Sequence, residues 1–368
     1  MKYLDGFRDP AAAAVVSRQI GVLAAKLRLQ RNRICIMEVC GTHTMAIART
    51  GIREILPEGV DLVSGPGCPV CVTDAAFIDA AVELTRRGII VATFGDMLRV
   101  PGSEVSLEIC RAEGGDVRVC YSPLEVLTWA VENPKREVVF LAIGFETTIG
   151  PALGLLVEAE RCGLKNVSLL TAFKTVPQAL VTLSKSQRVC IDGFLLPAHV
   201  SAVIGSEAYQ FLPEQFGKVG VVAGFEALDI LWALKEILVQ VSENRAAIVN
   251  QYDRVVQPRG NPRILQLFSR YLEPSAACWR GLGTLPESGL SLRPEYLCWD
   301  AATRFGVPTT GGKDHPGCKC GQVLEGALRP PDCPLYGKVC TPREPVGPCM
   351  VSSEGTCAAY FKYARRAA

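Results

Sequence analysis

Ile34-Cys35-Ile36-Met37-Glu38-Val39, running directly into Cys40-Gly41-Thr42-His43-Thr44, reads as a short apolar strand that stops at a glycine turn bearing a thiol and an imidazole. The pattern recurs. Val60–Ser64 leads into Gly65-Pro66-Gly67-Cys68-Pro69-Val70-Cys71, Ile89–Thr93 into Phe94-Gly95-Asp96, and Val138–Ile143 into Gly144-Phe145-Glu146-Thr147-Thr148. Phe194–Leu196 leads into Pro197-Ala198-His199 and Val219–Ala223 into Gly224-Phe225-Glu226, while Val167–Thr171 is one more strand-like run. Helical segments separate these runs, and such alternation is the signature of a parallel α/β sheet. Ligands of open α/β sheets bind beyond the carboxyl ends of the strands. Six strand ends therefore offer Cys, His, Asp or Glu to a crevice.

Outward from this core, residues 11–29 read as an amphipathic helix with Val15, Ile20, Leu23, Leu27 and Leu29 on its apolar stripe. The polar turn Glu132-Asn133-Pro134-Lys135 marks a break between two α/β units, and from about residue 255 the texture shifts to Pro, Gly, Arg and Cys. The expected division is a helical segment over 1–32 packing on the C-terminal domain, α/β domains over 33–132 and 133–254, and a cysteine-rich domain over 255–368. The Gly-Phe-Glu recurrence at 144–146 and 224–226 hints at related halves.

The 368 residues, 49% apolar and 21% charged, provide for buried cores and exclude a disordered chain. With 39 Lys and Arg against 37 Asp and Glu and no basic block, nothing points to a nucleic-acid partner. The longest apolar stretch, Val219 to Val241, carries Glu226, Asp229, Lys235 and Glu236, so no membrane span is expected. No Gly-x4-Gly-Lys-Ser/Thr loop is present.

Cysteine is the outlier. Sixteen in 368 residues fall below the ~8–10% typical of disulfide scaffolds, and Asp5, Arg8 and Asp9 interrupt any apolar signal-peptide core. The expected compartment is a reducing cytoplasm, where grouped cysteines more often bind metal or do redox chemistry. Cys318, Cys320, Cys333, Cys340, Cys349 and Cys357 crowd a Pro- and Gly-rich segment with few large apolar side chains, so something other than a core must hold it. Four thiolates around a 4Fe-4S cluster, or around Zn(II), would do so. The segment has only C-x-C at Cys318 and Cys320 in place of the paired zinc knuckles, which favours the cluster.

Cys68-Pro69-Val70-Cys71 is a C-x2-C, the spacing that closes a small disulfide at a helix start and that zinc knuckles also use, and its place in a Gly-Pro-Gly loop after a strand favours redox or catalysis. Cys40 and His43 either point thiolate and imidazole at one crevice to ligate a soft metal or are a buried thiol and a helix cap, and spacing does not choose. Cys35, Cys110, Cys120, Cys162 and Cys190 read as core filler, as do Cys278 and Cys298 beside Trp279 and Trp299. His199 reads as a core histidine and His315 as a surface residue, while Glu146 and Glu226 fit helix N-termini, where negative charge is favoured.

Met37-Glu38-Val39-Cys40-Gly41-Thr42-His43-Thr44, Gly65–Cys71 and Gly144–Thr148 resemble the signature motifs of the HypD family of hydrogenase maturation factors. Phe94–Ser103, Gly224–Leu231 and Cys349–Gly355 also resemble family segments, so the likeness covers nearly the whole chain. The family's C-x14-C-x6-C-x16-C pattern is reproduced by Cys318, Cys333, Cys340 and Cys357. Two positions depart. Met45 stands where many members carry a second histidine, and Ala198 replaces the glycine of Pro-Gly-His-Val, which weakens any binding role for His199.

The resemblance implies two Rossmann-like parallel-sheet domains facing a central cleft, plus a domain wrapped around a 4Fe-4S cluster on Cys318, Cys333, Cys340 and Cys357. It implies a redox-active assembly scaffold, not a multiple-turnover metabolic enzyme. With a HypC-type chaperone, such a protein holds iron while the Fe(CN)2CO group of nickel-iron hydrogenase is built, cyanide arriving from a HypE-type carrier. On that reading Cys40 ligates the transient iron carrying cyanide and CO, and His43 orients the site. Cys68 and Cys71 form a dithiol-disulfide couple, and Glu146 handles protons at a facing strand end. Cys320 and Cys349, left over once the cluster has four ligands, are expected to form a redox-active disulfide beside it. The competing reading is a 4Fe-4S thiol-disulfide oxidoreductase resembling ferredoxin-thioredoxin reductase, and a third is a structural metal module. A reductase has no need of a third soft site at Cys40 and His43.

Overall fold

The computed structural model describes residues 5–363. Eleven strands run in chain order as β1 Ile34–Glu38, β2 Val60–Ser64, β3 Ile90–Thr93, β4 Val117–Val119, β5 Val138–Gly144, β6 Val167–Lys174, β7 Gly193–Pro197, β8 Val219–Ala223, β9 Ile248–Asn250, β10 Leu272–Trp279 and β11 Gly283–Leu292. They form two sheets, one ordered β2-β1-β7-β8-β9 and one ordered β10-β11-β6-β5-β3-β4. The first is parallel throughout, and the second is parallel from β4 to β6 with an antiparallel hairpin, β10 and β11, on its edge. Every residue of β1, β5, β7 and β8 is buried. Parallel strands covered on both faces must be apolar without alternation, which is why these runs were legible in the sequence.

In each sheet the first strand to enter sits between its two successors, β1 between β2 and β7 and β3 between β4 and β5. Each sheet thus has a point where the strand order reverses, with a crevice at its carboxyl end. Cys40 follows β1 at one such point, and Phe94-Gly95-Asp96 and Gly144-Phe145-Glu146 follow β3 and β5 at the other.

The contiguous division of the chain is corrected by the topology. β1 and β2 pair with β7, β8 and β9, so residues on both sides of 132 build the first sheet, and the β3–β6 unit is inserted between β2 and β7. The turn at Asn133 joins neighbouring parts of one sheet: the Asn166 side-chain amide donates to the carbonyls of Ala130, Asn133 and Arg136 and fastens it there. The β10–β11 hairpin belongs to the second sheet, not to a separate domain over 255–368. Its Pro274, Pro286, serines and glycines hide it from propensity, and an edge is where proline is tolerated. Gly-Phe-Glu follows the third strand to enter its sheet at 144–146 but the fourth at 224–226, so the recurrence marks no equivalent positions.

The helix Pro10–Arg28 buries Val16, Ile20, Ala24 and Leu27 against the helix Ala227–Ser242 over the first sheet, not on the C-terminal segment. Val15 and Leu29, expected on its apolar stripe, are exposed. Residues 1–4 and 364–368 of the outermost expected domains lie outside the described residues. Among the described residues no helix is long and apolar enough to cross a membrane.

Candidate functional site

Cys40 ends β1 and is the N-cap of the helix Gly41–Thr50. The backbone N–H groups of His43 and Thr42 favour the thiolate, but burial dominates and pushes the thiol up to about 12. Beneath it lies Glu38, wholly buried, which accepts from the Cys40 N–H at 3.2 Å and from the Thr44 hydroxyl at 2.6 Å, with Arg53 at 3.6 Å. Burial raises Glu38 to about 7 against the pull of Arg53. Nothing in the sequence singled out Glu38; its place inside an apolar strand was the available signal.

His43 is fully buried and its Nε2 lies 2.9 Å from the Gly224 carbonyl. A carbonyl only accepts, so Nε2 carries the proton and Nδ1 keeps a lone pair; that nitrogen is buried without a hydrogen-bond partner. Burial lowers the imidazole to about 4, so it is neutral. The helix-cap alternative for His43 does not hold, because its ring ties the end of β1 to the end of β8. His199, expected in the core, is exposed and stacks on Phe225 at 4.2 Å, with His43 on the same ring at 4.8 Å.

Cys68 and Cys71 form a disulfide with Cα atoms 5.3 Å apart. It lies in a turn rather than at a helix start, since the next helix begins at Ala75 and is capped by Asp74. Gly67 brings this turn against Cys40. A Cβ there would overlap the Cys40 backbone, and Gly41 N–H donates to the Gly67 carbonyl at 3.0 Å.

The C-terminal segment closes over both motifs. Cys71 Sγ lies 3.9 Å from the Pro348 carbonyl, and Thr42 donates to Glu354 at 2.8 Å. Within the segment Cys318, Cys333, Cys340 and Cys357 line one cavity together with Cys320, Leu335, Tyr336 and Met350. The cavity closes tightly at Gly347, where a Cβ would come within 2.6 Å of Cys318 Sγ. Five thiols in a largely apolar wall form a donor set that fits an iron-sulfur cluster, which takes four. Among the described residues no three His, Cys, Asp or Glu side chains close around a single ion. Cys320 and Cys349 are buried free thiols that influence one another, Cys320 also being influenced by Cys318 and Cys349 by Cys357. Thiol donors and the Arg280 guanidinium hold Cys320 low, while its thiol partners and burial hold Cys349 high.

Glu146 is buried at the start of the helix Glu146–Arg161, where one oxygen accepts from Val176 N–H at 3.0 Å and the other has no partner. Burial raises it to about 7. Tyr209, which no motif signalled, is fully buried, accepts from the Ser201 hydroxyl at 3.3 Å, and feels the charges of both Glu146 and Cys40. Glu226 fits the capping reading: it N-caps the helix Ala227–Ser242, and the Arg8 guanidinium at 2.6 Å holds its carboxyl low. Of the single cysteines, Cys35, Cys110 and Cys120 are buried as expected, but Cys162, Cys190 and Cys298 are exposed. Cys278 donates to Asp74 at 2.9 Å.

The sequence model of the family described as "HypD: Hydrogenase formation hypA family" matches residues 14–364. The chain is 46% identical to the hydrogenase maturation factor HypD of Azotobacter vinelandii, covering 100% of this chain and 98% of that one. It is 45% identical to the HypD of Rhizobium leguminosarum over 99% and 96% of the two chains, and 42% identical to that of Cupriavidus necator over 99% and 98%. Full-length likeness at this level, on a chain whose Cys40, Cys68-Cys71 and C-terminal cysteine motifs meet in space, means that the chain belongs to the HypD family of hydrogenase maturation factors.

Proposed function

We propose that this chain, with a HypC-type chaperone, holds an iron ion at Cys40 while cyanide from a HypE-type carrier and CO are attached to it in the cleft between its two Rossmann-like sheets. The observation that carries this reading is the backbone contact of Gly67 on Cys40, which sets a buried disulfide beside a thiol at a strand-order reversal. A cargo iron must be gripped by few protein atoms, since other ligands fill its remaining positions and the group must leave. One thiolate at a crevice, completed by a ligand from the chaperone, meets that need better than a closed four-cysteine site. Cys40 gives up its proton only when a cation replaces it, because burial otherwise keeps the thiol neutral. His43, locked on Gly224, fixes the end of β1 against β8 and so the direction of the thiolate.

Cys318, Cys333, Cys340 and Cys357 would hold a 4Fe-4S cluster, which supplies single electrons when bound. Cys320 and Cys349, beside those ligands, suit a second dithiol couple, and Cys68 and Cys71 a first one at the cleft. Glu146 presents a carboxyl group that gains or loses a proton near neutrality. The deciding experiment is anaerobic purification with the partners followed by infrared spectroscopy. Cyanide and carbonyl stretches are expected, and Cys40→Ala should abolish them while leaving the fold and the iron-sulfur absorption intact. Bands of full intensity in that variant would reject Cys40 as ligand. No bands in the parent protein, with rapid disulfide turnover, would select the thiol-disulfide oxidoreductase.

A further inference from the structure

Away from the cysteine motifs, a cavity of about 280 Å³ opens on the second sheet between β6, the β10–β11 hairpin and the loop at Thr309. Lys174, the last residue of β6, lines it while only 3% exposed. Its ammonium sits 5.8 Å above the Trp279 ring, and among the described residues it makes no hydrogen bond or ion pair. A buried cation with three donors and no acceptor is costly and calls for a partner. Asp74 favours the ammonium through its charge without bonding to it, and both nearby carboxylates take their hydrogen bonds from other groups. Asp74 accepts from Ala76 N–H, Gly312 N–H and the Cys278 thiol, and Asp300 accepts from Thr303 through both its N–H and its hydroxyl. Burial lowers Lys174 to about 8, so the amine is mostly charged at neutral pH.

We propose that this cavity binds a small monocarboxylate whose oxygens pair with the Lys174 ammonium. The hydroxyls of Thr171, Ser275 and Ser291 line the same cavity and suit a carboxylate, while Phe77, Leu290 and Leu297 offer apolar surface to a short tail. Charge favours a monoanion over a multiply charged phosphate, because Lys174 supplies a single positive charge and the repulsion from Asp74 and Asp300 on the same wall grows with the charge of the ligand. The site is independent of the iron-assembly reading.

Acetate is the probe. Titrated into the full-length protein at matched ionic strength, sodium acetate should raise the melting temperature saturably where sodium chloride does not. In the same protein, acetate should slow reductive methylation of Lys174 several-fold, read by peptide mass spectrometry. Lys174→Met should keep its iron content, melt no lower than the parent without acetate because an unpaired buried charge is gone, and bind acetate at least about tenfold more weakly. The proposal is overturned if acetate and chloride act alike on the parent, if inorganic phosphate matches acetate, if Lys174 methylation ignores acetate, or if the variant keeps the response. Should Lys174→Met fail to fold, protection from methylation in the parent decides alone.

Discussion

Glu146 shows how much a single side chain stakes on its environment. Its carboxyl is raised by burial from an ordinary 4.5 to about 7, so the neutral acid contributes stability that is fully present below about pH 4.5 and lost as pH rises through about 7. Glu146→Gln keeps an acceptor for Val176 N–H and never ionises. It should match the parent protein at pH 4.5 and exceed it by up to about 3 kcal/mol at pH 8, which urea denaturation at the two values would measure. A constant difference across that range would show that Glu146 does not titrate on folding. At this scale the cysteines were readable because their spacing is rare, whereas Glu38, Lys174 and Tyr209 were not. Glu38 and Lys174 end ordinary apolar strands and Tyr209 lies in a mixed polar stretch, and only the fold brings a charge or a cavity against them.

Among elements, the long buried strands declared themselves because parallel pairing demands unbroken apolar runs. The edge hairpin did not, since an edge admits Pro, Ser and Gly, and β4 and β9 have only three residues each. Nor could the sequence say which face the helix Pro10–Arg28 would bury, since its apolar positions span a wide arc. Ile20 is 1% exposed and Val22 is 72% exposed. Ile20→Ala should therefore cost about 2–5 kcal/mol and Val22→Ala within about 0.5 kcal/mol of nothing, as compared by denaturation midpoints. Equal losses would mean the helix is not docked by this face.

At the scale of the whole molecule the C-terminal segment has little apolar mass of its own, and on the proposed reading a cluster on four of its five cavity cysteines holds it together. Replacing any of Cys318, Cys333, Cys340 or Cys357 by Ala should remove the iron and visible absorption and expose the last ~50 residues to protease, because binding energy is folding energy where no site preexists. Variants that keep full iron and sulfide would reject that ligand set. The sequence made four motifs plain but not the path between them, since a pairing as distant as Ile36 with Gly193 leaves no local trace. The path has its own test. Residues 1–132 and 133–368, expressed separately, should each fail to fold, since each would hold only part of both sheets; a cooperative transition in either half alone would contradict the topology.

The Cys68–Cys71 turn occupies the first of the places where the chain leaves one sheet for the other, between β2 and the helix that feeds β3. The backbone returns from β6 to β7 and crosses again from β9 to β10. Three tethers of this kind, together with a buried core shared by Met37 and Phe194 of one sheet and Val139 and Leu170 of the other, hold the sheets far more firmly than a single linker would. The disulfide spans one of these tethers, at the turn where the chain leaves the first sheet. On the proposed reading, a bond that takes up two electrons when it opens would therefore also loosen the turn that carries the chain from one sheet to the other.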